Sequence, residues 1–183
     1  MGLNEWELSI LHWIREHWQH PVLDKAMPLI SALADDGILW ILLAVGLLCF
    51  RRTRRAGLSM GLALLAGLLV GNLFLKNVVG RIRPYDFDPS VGLLIDRLTD
   101  FAFPSGHTLA SFGAATALTV RYRRAGIAAL TLAGLLAFSR LYLFVHYPTD
   151  VLAGAVLGVG MGLLGCLLAD KLWVFLTKKK NKP

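Results

Sequence analysis

Charged residues are scarce in this sequence. Asp, Glu, Lys and Arg make up 17% of its 183 residues, hydrophobic residues make up 56%, and the mean hydropathy is +0.59. This composition excludes a disordered chain and is unlike that of an ordinary soluble domain. We expect the chain to lie in a membrane.

Cysteine is nearly absent, since the chain has only Cys49 and Cys166. Each lies in an apolar run without His or Cys neighbours at metal-ligand spacing, so we expect both thiols in the core. A cleavable signal sequence is not expected either, because Glu5 and Glu7 stand where a basic segment and an apolar run would be.

Five apolar runs are candidate membrane spans, because a spanning helix needs about 20 residues. They predict an all-α integral membrane protein, a bundle of five to six transmembrane helices in one domain over residues 1–183. The core is 37–176, and residues 1–36 form interfacial or partly crossing helices. The expected crossings are 37–50, 56–79, 104–120, 125–145 and 151–176.

The sequence does not decide whether the chain crosses the membrane a sixth time. Residues 3–34 are broken by Pro21 and Pro28, and they either lie in the interface or cross partially. The first helix is expected to have Asn4 as N-cap and Glu7 as its N3 partner. Its apolar face is expected to contain Leu3, Trp6, Ile10, Trp13 and Ile14.

Glycines spaced by four predict close packing between helices of one chain. They occur at Gly57 and Gly61, at Gly67 and Gly71, and at Gly154, Gly158 and Gly162.

Lys and Arg outnumber Asp and Glu by 19 to 12. Nucleic acid is nevertheless not an expected partner, because eleven basic residues fall in three clusters that border apolar runs, at 51–55, 121–124 and 178–182. The clusters lie in alternate loops, and short cytoplasmic loops are enriched in Lys and Arg. We therefore expect these loops in the cytoplasm, and loop 80–103 with turn 146–150 on the outer face.

Three cations are predicted at the outer ends of the spans: Lys76, Arg83 and Arg140. A charge inside a membrane costs about 2.5–3.5 kcal/mol, so it generally marks a functional site. Too few carboxylates lie nearby in sequence to neutralise all three, and the expected partner is an external anion. Phosphate fits arginine and lysine well, and a helix that starts near residues 104–107 would add backbone N–H groups.

Two histidines are predicted on the same face. Pro148 can begin the last helix and let Asp150 reach back to His146, which would orient that imidazole for nucleophilic attack. A histidine that merely caps a helix is the alternative for this pair alone. Together with His107, one imidazole can attack phosphorus while the other protonates the leaving oxygen. Metal binding is less expected, because a third neutral ligand is missing and arginines repel a divalent cation.

These residues form three blocks that resemble the signature of the type 2 phosphatidic acid phosphatase superfamily, in the form of its bacterial membrane members. The resemblance covers about two thirds of the chain and implies a helical membrane bundle. The blocks are Lys76 with Arg83-Pro84, Pro104-Ser105-Gly106-His107, and Ser139-Arg140 with His146 and Asp150.

The resemblance implies a role for each matched position. His146 would be the nucleophile that forms a phosphohistidine, Asp150 its orienting carboxylate, and His107 the general acid and then the base. No metal or other cofactor is implied. Arg81 lies outside the signature and is expected to be a solvated neighbour. The phosphoryl oxygens would be held by Lys76, Arg83, Ser105, Gly106, Ser139 and Arg140.

The resemblance also implies a lipid phosphomonoester or diphosphate as substrate, held in the bilayer of the cell membrane. Undecaprenyl diphosphate is slightly favoured over phosphatidylglycerophosphate and phosphatidate. Segment 91–103 either admits the lipid chain at the interface or is a connecting loop. An anion transporter or channel with the same cations, and an inactive scaffold, are the alternatives to an enzyme.

Overall fold

A computed structural model describes residues 3–180 of the chain, with side chains from residue 5 to residue 176. Its helices are joined by turns and one longer irregular segment. The helices are α1 (Leu3–Trp18), α2 (Pro21–Ala32), α3 (Ile38–Cys49), α4 (Arg54–Gly67), α5 (Lys76–Val79), α6 (Pro84–Phe87), α7 (Gly106–Arg121), α8 (Arg123–Tyr142) and α9 (Pro148–Lys180). A 3-10 turn, Asp35–Gly37, joins α2 to α3, and a π-helical segment, Leu68–Leu75, joins α4 to α5.

Within the described chain, three stretches are long and apolar enough to cross a membrane: Arg54–Phe87, Arg123–Tyr142 and Pro148–Leu176. Helices α2 and α3 qualify as a fourth when taken together, with a bend of 43° between them. The prediction of an all-α membrane protein is confirmed.

Helix α7 lies at the centre of the bundle and packs against α4, α8 and α9. Its close approach to α9 depends on three predicted glycines, since a Cβ at any of them would collide with a backbone oxygen of α7 or its N-cap. The collisions would be 2.8 Å for Gly154 with Ser105, 2.7 Å for Gly158 with Leu109, and 2.7 Å for Gly162 with Gly113. The predicted packing within one chain is confirmed for these three glycines. It was wrong for Gly61 on α4, where an added Cβ would have no atom within 4 Å.

The basic clusters lie at one end of the bundle. The Tyr122 hydroxyl donates a hydrogen bond to the Arg52 carbonyl at 2.7 Å, and the guanidinium carbon of Arg55 lies 4.9 Å from the Trp173 ring centre. The first two clusters and the end of α9 therefore share one side, as predicted. Cluster 178–182 lies outside the described side chains.

Helix α1 buries a different face from the predicted one. Glu7, Leu11 and Ile14 are buried, whereas Trp6 and Trp13 are 50% and 52% exposed. The predicted apolar face was wrong at these tryptophans. The side of α1 that packs against the protein contains Glu7, whose buried carboxylate needs polar partners there.

The predicted helix cap was also wrong. Asn4 lies inside α1, and the Glu7 carboxylate accepts hydrogen bonds from Thr149 on α9 instead of capping its own helix.

The two cysteines differ in environment. Cys166 is buried, as predicted, but Cys49 at the end of α3 is exposed, and its thiol donates to the Val45 carbonyl of the same helix. The prediction of a core position for Cys49 was wrong.

Segment 91–103 folds over α1 without a helix of its own. Leu93, Leu94 and Leu98 pack against the cluster that contains Leu11 and Tyr85. These apolar side chains contact protein, which supports the interpretation of a connecting segment that covers helix ends.

Candidate active site

A cavity of about 350 Å³ lies at the end of the bundle opposite the basic clusters. Six of the nine predicted site residues line it. Its walls are formed by Asp35, Asp36, Lys76, Arg83, Leu98, Thr99, Asp100, Gly106, His107, Arg140 and His146.

The chain between α5 and α6 brings two cations into this cavity. Gly80 ends α5 with a positive φ of 58°, a conformation that glycine adopts without strain. Arg83 is extended, with φ −80° and ψ 156°, as expected of a residue that precedes proline. The turn and Pro84 together place Arg83 beside Lys76.

Lys76 and Arg83 share one carboxylate, that of Asp100. Arg83 Nη2 lies 2.5 Å from Asp100 Oδ1, and Lys76 Nζ contacts Oδ2. Burial would raise the pKa of Asp100, but the hydrogen bond and charge of Lys76 and the charge of Arg83 lower it to about 2. Asp100 lies 24 and 17 residues away in sequence, and it is one carboxylate for two cations. This agrees with the expectation that nearby carboxylates are too few to neutralise all three cations.

Arg140 differs from the other two cations. It is 1% exposed, and its Nη1 donates to the Ser31 hydroxyl, while Nε and Nη2 have no hydrogen-bond partner among the described residues. Buried polar groups normally have partners, and a buried charge without them is costly. An anion in the cavity would supply them.

His146 presents one ring nitrogen to Arg83 and the other to Asp150. Nε2 lies 3.4 Å from Arg83 Nη1, and Nδ1 lies 3.6 Å from Asp150 Oδ2. Burial, followed by the charges of Arg83 and Arg140, holds the pKa of His146 well below its usual value. The N–H donor of Arg83 beside Nε2 favours the tautomer with a proton on Nδ1 and a lone pair on Nε2.

Asp150 lies in the first turn of α9, which begins at Pro148 as predicted. Its Oδ2 accepts a hydrogen bond from the Tyr147 amide at 2.9 Å, and its Oδ1 accepts one from Arg81 Nη1 at 2.6 Å. The expectation that Arg81 is a solvated neighbour was wrong. Its side chain is 14% exposed, because carboxylates from α1 and α9 enclose it.

His107 lies in the first turn of α7 and contacts a carboxylate that the sequence analysis missed. Its Nε2 is 2.8 Å from Asp35 Oδ1, in the 3-10 turn before α3. The signal in the sequence was an acidic pair, Asp35-Asp36, between two apolar helices.

The two predicted serines lie beside the cavity. The Ser105 amide donates to the Asp150 carbonyl at 3.1 Å, which joins the starts of α7 and α9, and its hydroxyl accepts from Thr108. The Ser139 hydroxyl donates to the Leu136 carbonyl inside α8 at 2.7 Å. Neither serine lines the cavity.

A second, mostly apolar cavity of about 600 Å³ adjoins the first. The two share Lys76, Gly106 and His107 among their wall residues, and the second extends between α3 and α4. We call it the apolar groove; its walls include Ile41, Ala44, Val45, Leu48, Gly61, Leu64, Leu65, Leu68 and Leu109.

The sequence profile of the PAP2 superfamily matches residues 56–173, which contain all three blocks of site residues. The chain belongs to this superfamily. The resemblance drawn from the motifs is thereby confirmed. The matched region of this PAP2 chain excludes α1, α2 and α3, so Glu7 and Asp35 lie outside it.

Named relatives agree with this assignment. An undecaprenyl-diphosphatase of Sulfolobus acidocaldarius is 36% identical over 126 residues, which are 68% of this chain and 61% of that protein. Undecaprenyl-diphosphatase BcrC of Bacillus subtilis is 32% identical over 165 residues, 90% of this chain and 83% of that protein. The prediction of a phosphatase is confirmed.

Two solved structures resemble the whole bundle. Aquifex aeolicus LpxE has a TM-score of 0.77 and 28% identity, covering 90% of this chain and 95% of that one. The transmembrane PAP2-type phosphatidylglycerolphosphate phosphatase of Bacillus subtilis has a TM-score of 0.74 and 27% identity, covering 92% and 87%. The multi-pass membrane fold is confirmed.

Proposed function

We propose that this PAP2 phosphatase hydrolyses a lipid phosphomonoester or diphosphate through a phosphohistidine on His146, without a metal. The environment of Arg140 is the main support for this proposal. A buried guanidinium with two unpartnered nitrogens, in the wall of a cavity that also holds His146, fits a phosphoryl group that completes its hydrogen bonds.

The phosphoryl group would be bound by the cations and by the start of α7. Lys76, Arg83 and Arg140 hold its oxygens, and the Gly106 amide adds the donor of a helix N-terminus. Ser105 and Ser139 join after small rotations of their hydroxyls. Substrate oxygens take over the contacts that Lys76 and Arg83 now make with Asp100.

The reaction has two displacements at phosphorus. His146 Nε2 attacks, the N–P bond forms, the P–O bond to the lipid breaks, and His107 gives its proton to the leaving oxygen. Asp150 stabilises the cationic phosphorylated ring. His107 then takes a proton from water, the water oxygen attacks phosphorus, and the N–P bond breaks.

Fixed cations can replace a metal here, because phosphoryl transfer depends mainly on positioning and on stabilising charge on the equatorial oxygens. Among the residues whose side chains the structure describes, no group of three His, Cys, Asp or Glu side chains is arranged to ligate a metal ion.

The apolar groove supports a lipid substrate. It begins beside Lys76 and His107, so a phosphate in the cavity would have its hydrocarbon chain between α3 and α4. Undecaprenyl diphosphate is favoured slightly, and the relatives with that name support it; phosphatidylglycerophosphate and phosphatidate are the other candidates.

The active site is proposed to face the outside of the cell membrane. The two described basic clusters lie at the opposite end of the bundle, and such clusters favour the cytoplasmic side.

The test is phosphate release by purified protein from a panel of these three lipids, with a chelator present. We expect turnover to persist in chelator and vanadate to inhibit it, since trigonal bipyramidal vanadate resembles the transition state. Activity that disappears in chelator and returns with a divalent cation would contradict the metal-free mechanism. The absence of phosphate release from every lipid would favour an anion transporter.

A further inference from the structure

A series of buried polar contacts connects the active site to α1, outside the region that matches the family profile. Arg81 Nη1 donates to Asp150 Oδ1 at 2.6 Å, and Nη2 of the same guanidinium pairs with Glu7. The other oxygen of Glu7 accepts from the Thr149 amide at 2.8 Å and from its hydroxyl at 2.6 Å. Glu7 and Asp150 are both fully buried.

These contacts determine how Asp150 is oriented. Each of its oxygens has its own donor, Arg81 Nη1 for Oδ1 and the Tyr147 amide for Oδ2, so the carboxylate has one favoured rotation. Arg81 is held in turn by Glu7 and by the Tyr147 ring, whose centre lies 3.9 Å from the guanidinium carbon. Asp150 Oδ2 lies 3.6 Å from His146 Nδ1, and Glu7 is linked to this carboxylate through Arg81.

Charge gives Glu7 a second effect. Asp150 paired with Arg81 alone would form a neutral unit, which attracts a cationic ring weakly. With Glu7 added, the Glu7–Arg81–Asp150 group has one net negative charge beside His146. A phosphorylated imidazole that keeps its Nδ1 proton is cationic, and this charge stabilises it.

We propose that Glu7 is a positioning residue for the phosphohistidine step. Through Arg81 it orients Asp150 toward His146, and it keeps the group negative while the ring is phosphorylated. The proposal rests on the proposed function, and it makes α1 a part of the catalytic apparatus.

The test compares Glu7→Gln, Arg81→Gln, the double variant and Glu16→Gln in full-length protein. Glu16 is the matched control, because it lies on the exposed side of the same helix. Two quantities are measured with nitrophenyl phosphate: the rate of phosphohistidine formation by rapid quench, and the inhibition constant of inorganic phosphate.

We expect Glu7→Gln to slow phosphorylation by about 10- to 100-fold, the loss that removal of the hydrogen-bond partner of a metal-ligating histidine typically causes. The inhibition constant should change less than twofold, because Glu7 does not line the cavity. Glu16→Gln should match the wild type. Arg81→Gln removes the cation between the two buried carboxylates. Because Glu7 acts through Arg81, adding Glu7→Gln to Arg81→Gln should slow phosphorylation much less than Glu7→Gln slows it in the wild type.

A purely structural role predicts something else. Gln keeps the shape of Glu7 and Asp keeps its charge, so a structural role predicts that Glu7→Asp is no faster than Glu7→Gln. We expect Glu7→Asp to be faster, and the comparison remains valid where Arg81→Gln fails to fold.

Wild-type phosphorylation in Glu7→Gln would overturn the proposal, and so would a double variant in which the separate effects of Glu7→Gln and Arg81→Gln simply multiply. A wild-type protein that forms no phosphohistidine would instead contradict the proposed function, so the two failures are distinct.

Discussion

Asp35 Oδ1 lies 2.8 Å from Nε2 of His107, so the second histidine of the site has a carboxylate partner of its own. Asp35 comes from the turn between α2 and α3, and its side chain is 59% exposed. An exposed carboxylate can withdraw when the leaving oxygen of the substrate approaches Nε2. At this distance a protonated Nε2 donates to Asp35, so the contact favours the ring form that the proposed general acid needs.

Replacement of Asp35 should therefore affect substrates that need protonation. We expect Asp35→Asn to slow release of an alcohol leaving group by about tenfold, less than the roughly 10²–10⁴-fold contribution of a general acid itself, because His107 is retained. Nitrophenyl phosphate should be nearly unaffected. The measurement is the ratio of the two kcat/KM values. Asp36→Asn removes a neighbouring charge and should keep the wild-type ratio; equal ratios in both variants would contradict the role of Asp35.

A trapping experiment should distinguish the roles of the two histidines. His146→Ala removes the nucleophile and should form no acid-labile phosphohistidine. His107→Ala should still form it from nitrophenyl phosphate and accumulate it, because hydrolysis then lacks its base. Phosphorylated His146→Ala protein would reverse the two roles.

Asp100 should compete with the phosphate for Lys76 and Arg83. We expect Asp100→Asn to bind inorganic phosphate about tenfold more tightly, equivalent to about 1.4 kcal/mol, because two cations lose their carboxylate partner. The measurement is the inhibition constant of phosphate. Asp96→Asn, an exposed change in the same segment, is the control, and weaker binding in Asp100→Asn would show that Asp100 instead holds the cations in place.

The apolar groove can be filled at Gly61, where a Cβ would have no atom within 4 Å. We expect Gly61→Leu to lower kcat/KM for a long-chain lipid phosphate by tenfold or more and to leave a short-chain water-soluble ester unaffected, as the added side chain occupies about the volume of several methylenes. Gly134→Leu adds the same side chain on α8, also in open space. It should change kcat/KM for neither substrate. An equal loss for both substrates would place the lipid chain elsewhere.

Orientation can be measured by labelling of single cysteines in intact cells, in a background without Cys49 and Cys166. Cysteines placed within 86–100 should react with an impermeant reagent, and cysteines beside Arg52 or Lys179 should not. The reverse pattern would place the active site in the cytoplasm.

The sequence by itself determined the family and most of the residues that line the cavity. Lys76, Arg83, His107, Arg140 and His146 stand next to helix ends, and apolar runs of fixed length carry those ends to one side of the bundle. These residues meet in one cavity because the lengths of the apolar runs place their helix ends on the same side. Those lengths can be read directly from the sequence. The glycines of α9 were predictable for the same reason, since their period of four places them on one helix face.

Only the tertiary structure decided which carboxylate meets which cation or histidine. Asp100, Asp35 and Glu7 come from an irregular segment, a turn and α1, and their contacts with Lys76, His107 and Arg81 span 24, 72 and 74 residues. The sequence pattern predicted Glu7 as the N3 partner of a helix cap, and it gave no sign that this carboxylate contacts Arg81. A buried carboxylate is stable only where folding brings a donor to it, so its position follows from the packed bundle and not from its neighbours in sequence.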